Sequence, residues 1–175
     1  YTSSPFSMNA DSLFFRDFNI QITRKFNNWF KMKLTYFNQS FNASANIVSE
    51  ASGYINTHIA VVDLQFKLNR KNTIRTELQS LWTQKRKDQG DWVTGLIEYT
   101  ISPHWFFAIM DQWNYGNPVK DNRKHYLLGS LGYIYNSMRF SVSYGRQRAG
   151  IFCVGGICRQ VPASNGLTFS FTASF

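Results

Sequence analysis

Apolar and polar side chains alternate one by one along most of this chain. Leu167, Phe169, Phe171, Ala173 and Phe175 interleave with Thr168, Ser170, Thr172 and Ser174, the pattern of a strand with one apolar and one small-polar face. Met138, Phe140, Val142 and Tyr144 alternate with Arg139, Ser141, Ser143 and Gly145 in the same way. Further upstream the second face carries charge. Ala60, Val62, Leu64 and Phe66 alternate with Val61, Asp63, Gln65 and Lys67, and Ile74, Thr76 and Leu78 with Arg75, Glu77 and Gln79. Phe30, Met32 and Leu34 alternate with Lys31, Lys33 and Thr35, and Phe18, Ile20 and Ile22 with Asn19, Gln21 and Thr23. Helical spacing at i, i+3, i+4 is matched almost nowhere. The pattern predicts nine strands, over 12–26, 29–42, 54–69, 72–87, 91–102, 104–116, 124–136, 137–152 and 157–175. Most exceed the roughly five or six residues of an ordinary soluble strand. They suit a tilted bilayer crossing, which takes about 9 to 11 residues plus rims.

The connections sort into two kinds in strict alternation. Asn27-Asn28, Asn69 to Asn72, Ser102-Pro103 and Asn136-Ser137 are short, whereas Ala43 to Gly53, Lys85 to Asp91, Gly116 to Lys124 and the region around Cys153 are long and polar. Outer-membrane barrels have tight periplasmic turns and longer outer loops, and a soluble sandwich has no reason to put every long loop at one end. The expected fold is therefore all-β: an antiparallel up-and-down transmembrane β-barrel, of which this chain supplies about nine strands. Residues 1–11 would be an outer-loop remnant and 12–175 the C-terminal strands, with Phe175 on the periplasmic side of a Gram-negative outer membrane. Nine is odd and bacterial barrels are normally even, so an odd number of upstream strands is expected to complete the wall. The chain opens on Tyr1, and any leader is expected to have been removed or to lie upstream.

Composition narrows the alternatives. Aromatics make up 17% of the residues, yet mean hydropathy is only −0.31, because the aromatics are spread between polar neighbours. The longest purely apolar run, Trp105 to Met110, is far short of the roughly 20 residues of a spanning helix. Trp29, Tyr54, Trp82, Trp92, Trp105, Trp113, Tyr115 and Tyr126 fall near predicted strand ends, as an interfacial girdle requires. A net charge of +9 raises the question of nucleic acid, but the basic residues are scattered and no finger, RNP-like or phosphate-loop motif is present. A soluble β-sandwich binding module is the competing fold. It would have to enclose the apolar faces of all nine strands in one core.

The stretch Tyr144 to Gly166, YGRQRAGIFCVGGICRQVPASNG, reads as a hairpin. With Gly155-Gly156 as its two-residue turn, Met138 faces Ala173, Phe140 faces Phe171, Val142 faces Phe169 and Tyr144 faces Leu167. The same register sets Cys153 opposite Cys158. Opposed residues lie about 4.5 to 5.5 Å apart, within disulfide range, and a bridge is expected on an exported protein. Arg146, Arg148 and Arg159 accompany this hairpin at the outer end, together with Arg123 and Lys124 of another long loop. Guanidinium and ammonium groups there suit the phosphates and carboxylates of lipopolysaccharide, although solvated loop charges would look the same.

Catalytic chemistry has little support. His58, His104 and His125 are isolated in sequence, HExxH and GxSxG are absent, and Asp63, Glu77 and Glu98 sit among about as many bases. No metal site and no cofactor is expected.

RTELQ at Arg75 to Gln79, GDW through GLIEY at Gly90 to Tyr99, and above all the CVGGICR hairpin resemble the C-terminal part of a Bacteroidota outer-membrane β-barrel family known only as a domain of unknown function. The resemblance covers nearly the whole chain. It implies larger members with upstream strands and supplies no catalytic residues. The expected role is a porin-like channel or an accessory barrel of an outer-membrane assembly, with outer-membrane lipid, lipopolysaccharide and neighbouring barrel proteins as partners. A membrane-embedded lipid-modifying enzyme is the alternative.

Overall fold

The computed structural model describes residues 15–42, 54–84, 89–154 and 157–174, and within them not the side chains at 42, 54, 150–153 and 157–159. Nine strands form one antiparallel sheet in chain order. They are β1 Phe15–Lys25, β2 Phe30–Asn42, β3 Tyr54–Lys67, β4 Asn72–Thr83, β5 Trp92–Ile101, β6 Trp105–Trp113, β7 His125–Tyr135, β8 Met138–Gln147 and β11 Ser164–Ala173. Between β8 and β11, β9 Gly150–Val154 and β10 Ile157–Val161 pair with each other. The sheet is not closed. β1 pairs only with β2, and β11 only with β8. Among the described residues the fold is all-β and up-and-down, with no α-helix.

Local chemistry accounts for the tight end. The Asn27 side-chain oxygen accepts the backbone N–H groups of Trp29 and Phe30 at 3.0 and 2.7 Å. Asn69 does the same for Lys71 and Asn72, both at 2.9 Å. Such Asx turns replace ladder bonds that a sharp reversal loses. At the β7–β8 turn Asn136 takes a φ of 51°, a conformation that Asn tolerates better than most residues.

Register carries the two faces across the whole sheet. One row runs Phe30, Phe66, Ile74, Tyr99, Phe107, Leu131, Val142, Phe169 over eight strands. The row three residues along runs Lys33, Asp63, Glu77, Leu96, Met110, Leu128, Gly145 on the opposite face. The first face, here the outer one, is apolar and bare: Phe18, Ile20, Ile22, Phe140, Phe169 and Phe171 are each half exposed or more. The inner face buries Asp63, Glu98, Ser141 and Ser143. Phe30, Met32, Leu34, Val62, Leu64 and Phe66 point outward as expected but are only partly exposed, because long neighbours crowd them.

The expected pairing of Met138, Phe140, Val142 and Tyr144 with Ala173, Phe171, Phe169 and Leu167 is present, and Cys158 lies opposite Cys153. The Gly155-Gly156 turn lies outside the described residues. Two expectations need correction. The strands over 137–152 and 157–175 are not continuous, because the ladder breaks where Arg148 and Ala149 meet Pro162 and Ala163. Pro162 has no N–H to donate. Beyond this hinge, β9–β10 also does not stay with the outer end of the sheet. It lies on the inner face, where Val154, 3% exposed, packs with Leu96, Phe106, Met110 and Leu128, and Val161 packs against that cluster. Burial of these valines and the loss of ladder bonds at Pro162 together favour the inward bend.

Gly132 is the residue that lets this inner cluster form. Phe106 lies opposite it in register, and a Cβ at Gly132 would stand 2.0 Å from the Phe106 ring. The far end of the ring therefore lies against bare backbone, the aromatic cover that glycine permits in strands. Gly132→Ala is expected to lift the ring, unseat Val154 and cost about 2 kcal/mol through overpacking. A denaturant midpoint unchanged from the parent protein would contradict this packing.

Candidate functional site

Three groups of polar side chains lie on or beside the inner face. The first is an ion cluster at the middle of β2–β5. Asp63 and Glu77 are directly opposed across β3 and β4, an arrangement of like charges that is unfavourable by itself. Arg75 resolves it. Its Nε donates to Asp63 Oδ2 at 3.1 Å and its Nη2 is ion-paired with the same oxygen at 3.0 Å, its Nη2 also donates to Glu77, and it faces Glu98 across β4–β5. Lys33 adds a cation 3.6 Å from Asp63 on the other side, and the Gln79 amide donates to Glu77. The expected mixture of interior acids and bases is a paired network.

The second group is the base of the folded hairpin. The Arg139 guanidinium donates to the Val154 carbonyl at 2.6 Å and lies 4.2 Å over the Phe106 ring. An inner-face cation thus holds the hairpin by its backbone and by the ring under it. Val154 therefore lies on the half of the inner face nearer the short turns, since Arg139 is next to the β7–β8 turn.

The third group is at the end with the long connections. Arg148 stacks 4.1 Å over Trp92, Trp92 is 5.8 Å from Tyr126, and Arg146 stands 5.0 Å from the Tyr126 ring. Trp92 is only 6% exposed. It and Tyr126 are therefore inner-face residues, a correction to the girdle, whereas Trp29, Trp82, Trp105 and Trp113 are exposed on the outer side. Beneath Arg148 lies a cavity of about 130 Å³, bounded by Gln39, Thr57, Leu81, Thr83 and Trp92. The Thr57 hydroxyl is buried there without a partner among the described residues.

Two of the long connections are locked to each other at this end. A Cβ on Gly90 would strike the Gly116 carbonyl at 2.2 Å, and Gly90 has a φ of 77°. Glycine is thus required where the backbones touch. The Asp91 carboxylate accepts the Thr83 N–H at 2.9 Å, and the Gly116 N–H donates to the Asp91 carbonyl at 3.1 Å.

Of the five cations singled out in sequence, the fold brings Arg146 and Arg148 together through Trp92 and Tyr126. Arg123 donates to the Asn117 carbonyl at 2.9 Å and so braces its own loop. Lys124 is exposed. The Arg159 side chain lies outside the described residues. Each histidine has a partner: His58 with Tyr36 at 2.7 Å, His104 with the Ile134 carbonyl at 2.8 Å, His125 with Asp111 at 2.7 Å. The His125–Asp111 pair was not anticipated. Its signal is register, since Trp113 opposite His125 makes Asp111 a diagonal neighbour. No group of three or more metal-ligating side chains is present among the described residues.

No curated protein and no solved structure matches the chain. A family model does match it, over residues 1–175, and the chain belongs to that family, described as a family of unknown function, DUF6029.

Proposed function

We propose that this chain forms part of the wall of an outer-membrane β-barrel channel, with a lumen narrowed from within by the β9–β10 hairpin. One observation carries the reading. Nine long strands present an uncovered apolar face on one side and a paired ionic and polar face on the other. In water such a surface, well beyond a few hundred Å², would drive association. In hydrocarbon it is the face that holds a barrel in place. The outer-facing tryptophans at strand ends support the same placement, and the four short turns mark the periplasmic side, where the C-terminus lies in this reading. The unpaired edges of β1 and β11 are joined by further strands of the wall, because open edges do not persist in hydrocarbon. The partners are outer-membrane lipid, lipopolysaccharide at the cationic outer rim, and other outer-membrane proteins. Nucleic acid, cofactors and catalysis have no place in it.

The inward hairpin favours a narrowed channel over an open pore. In planar bilayers the full polypeptide is expected to conduct weakly, and replacing 150–161 with a short flexible loop should raise conductance several-fold. Recovery of the protein outside the outer-membrane fraction overturns the membrane reading. Absence of conductance in both forms makes it an accessory barrel instead.

A Cys153–Cys158 bridge belongs to this reading, as a local clamp on the hairpin. Iodoacetamide should label the two cysteines only after reduction. So small a loop removes little chain entropy, and Cys153→Ser should cost less than the roughly 3 kcal/mol of a 15-residue loop.

A further inference from the structure

The inner face is cationic where β1, β2 and β3 meet the short turns. In one cross-strand row Lys25 faces Lys31, Lys31 faces Gln65, Gln65 faces Arg75 and Arg75 faces Glu98. Lys31 stands two residues before Lys33 on β2, and Lys67 stands four residues after Asp63 on β3. Strand alternation therefore puts Lys31 and Lys67 on the face of the Lys33–Asp63 ion pair, and Lys25 joins them through its pairing with Lys31. All three lysines are exposed, and Lys67 is diagonal to Lys31 because it follows Gln65 by two.

This arrangement runs against local preference. Like charges directly opposed across an antiparallel pair repel, and Lys33, a further cation, is diagonal to Lys25. Among the described residues no acid relieves the repulsion. Asp63, diagonal to Lys31, already holds Arg75 at 3.0 Å and Lys33 at 3.6 Å, and Glu98 faces Arg75. From this row to the short turns the described residues include no acidic side chain, whereas Arg70 and Lys71 add two cations in the turn after β3. The ionic cluster of Lys33, Arg75, Asp63, Glu77 and Glu98 has one carboxylate more than it has cations. The positive sign of this part of the inner face thus rests on the three lysines. A face that is merely solvated mixes both signs. A field of one sign draws in molecules of the other, and a local rule broken without evident compensation points to function.

Resting on the channel reading above, we propose that the lumen selects small anions, and that Lys25, Lys31 and Lys67 form the attracting site at its short-turn mouth. Cationic side chains around a narrow passage concentrate anions and repel cations. Each ammonium group offers three donors and no acceptor, so the site suits chloride, phosphate or a carboxylate without demanding one shape.

The test measures reversal potentials in phosphatidylcholine bilayers under a tenfold potassium chloride gradient. It uses the full polypeptide and its form with 150–161 replaced by a short flexible loop. Both should pass chloride at least fivefold better than potassium. The preference should weaken as salt rises from about 0.1 to about 1 M, because the screening length falls from about 10 to about 3 Å. Lys25→Gln, Lys31→Gln and Lys67→Gln together should bring the ratio to one or below, since the excess carboxylate of the ionic cluster is then unopposed. Should that triple variant fail to fold, Lys31→Gln alone should lower the ratio at least twofold. Arg24→Gln removes the same charge from the outer face, opposite Met32, and should leave the ratio unchanged. Conductance without preference for chloride, in the parent form, overturns anion selection while the channel reading stands. A ratio that survives the lysine variants, or falls equally with Arg24→Gln, overturns the site. No conductance from either form defeats the channel reading and this inference with it.

Discussion

Leu78→Arg is expected to destabilise the protein in lipid by about 2 to 4 kcal/mol, the cost of a cation near the midplane on the lipid face of a barrel. Leu78 lies at the centre of β4, is 56% exposed, and has Val62 and Gly95 as its cross-strand neighbours. The same replacement at an exposed position in water changes stability by within about 0.5 kcal/mol. The two environments therefore give different answers from one variant. Unfolding in vesicles by guanidinium, with Glu77→Gln controlled separately, reads the difference. A neutral Leu78→Arg would mean that water, and not acyl chains, touches this face.

Removing the guanidinium at Arg75 should cost about 3 kcal/mol, at the low end for breaking a buried ionic group because its side chain is still 23% exposed. The reason is the opposition of Asp63 and Glu77 across β3–β4. Arg75→Leu leaves two facing carboxylates, each about an eighth exposed, with only Lys33 near Asp63. The loss then reflects stranded charge more than a missing attraction. Adding Asp63→Asn and Glu77→Gln to Arg75→Leu should restore more than half of the stability. If the triple variant is as unstable as the single one, Arg75 acts through packing of its stem and the electrostatic account fails.

Much of this architecture is readable from alternation. A period of two leaves only the choice of which face is covered, and a short Asn- or Pro-containing turn at one end of a strand with a long polar connection at the other sets its bounds. This is why β3, β4, β5, β6 and β7 fall within a few residues of their expected spans. It is also why the β8–β11 register followed from one proposed glycine turn. The errors share a cause. Trp92 has the composition and position of a girdle residue, but its parity along β5 places it inside, where Arg148 and Tyr126 cover it. The hairpin was expected at the outer rim because a continuous pattern of alternation has no mark for a bend. Pro162 is that mark only once its partner in the ladder is known.

The His125–Asp111 and Arg75–Asp63 contacts show the same division. Each pair is separated by more than ten positions, 14 and 12, and each becomes a neighbour only through strand register. Local preference settled strands, turns and the two-faced character, because those depend on residues adjacent in the chain and on a fixed geometric period. Which inner groups pair and the fall of β9–β10 onto Phe106 came from the tertiary structure. They depend on which side chains meet after nine strands align, and on the volume left where a glycine stands opposite or beside a large ring.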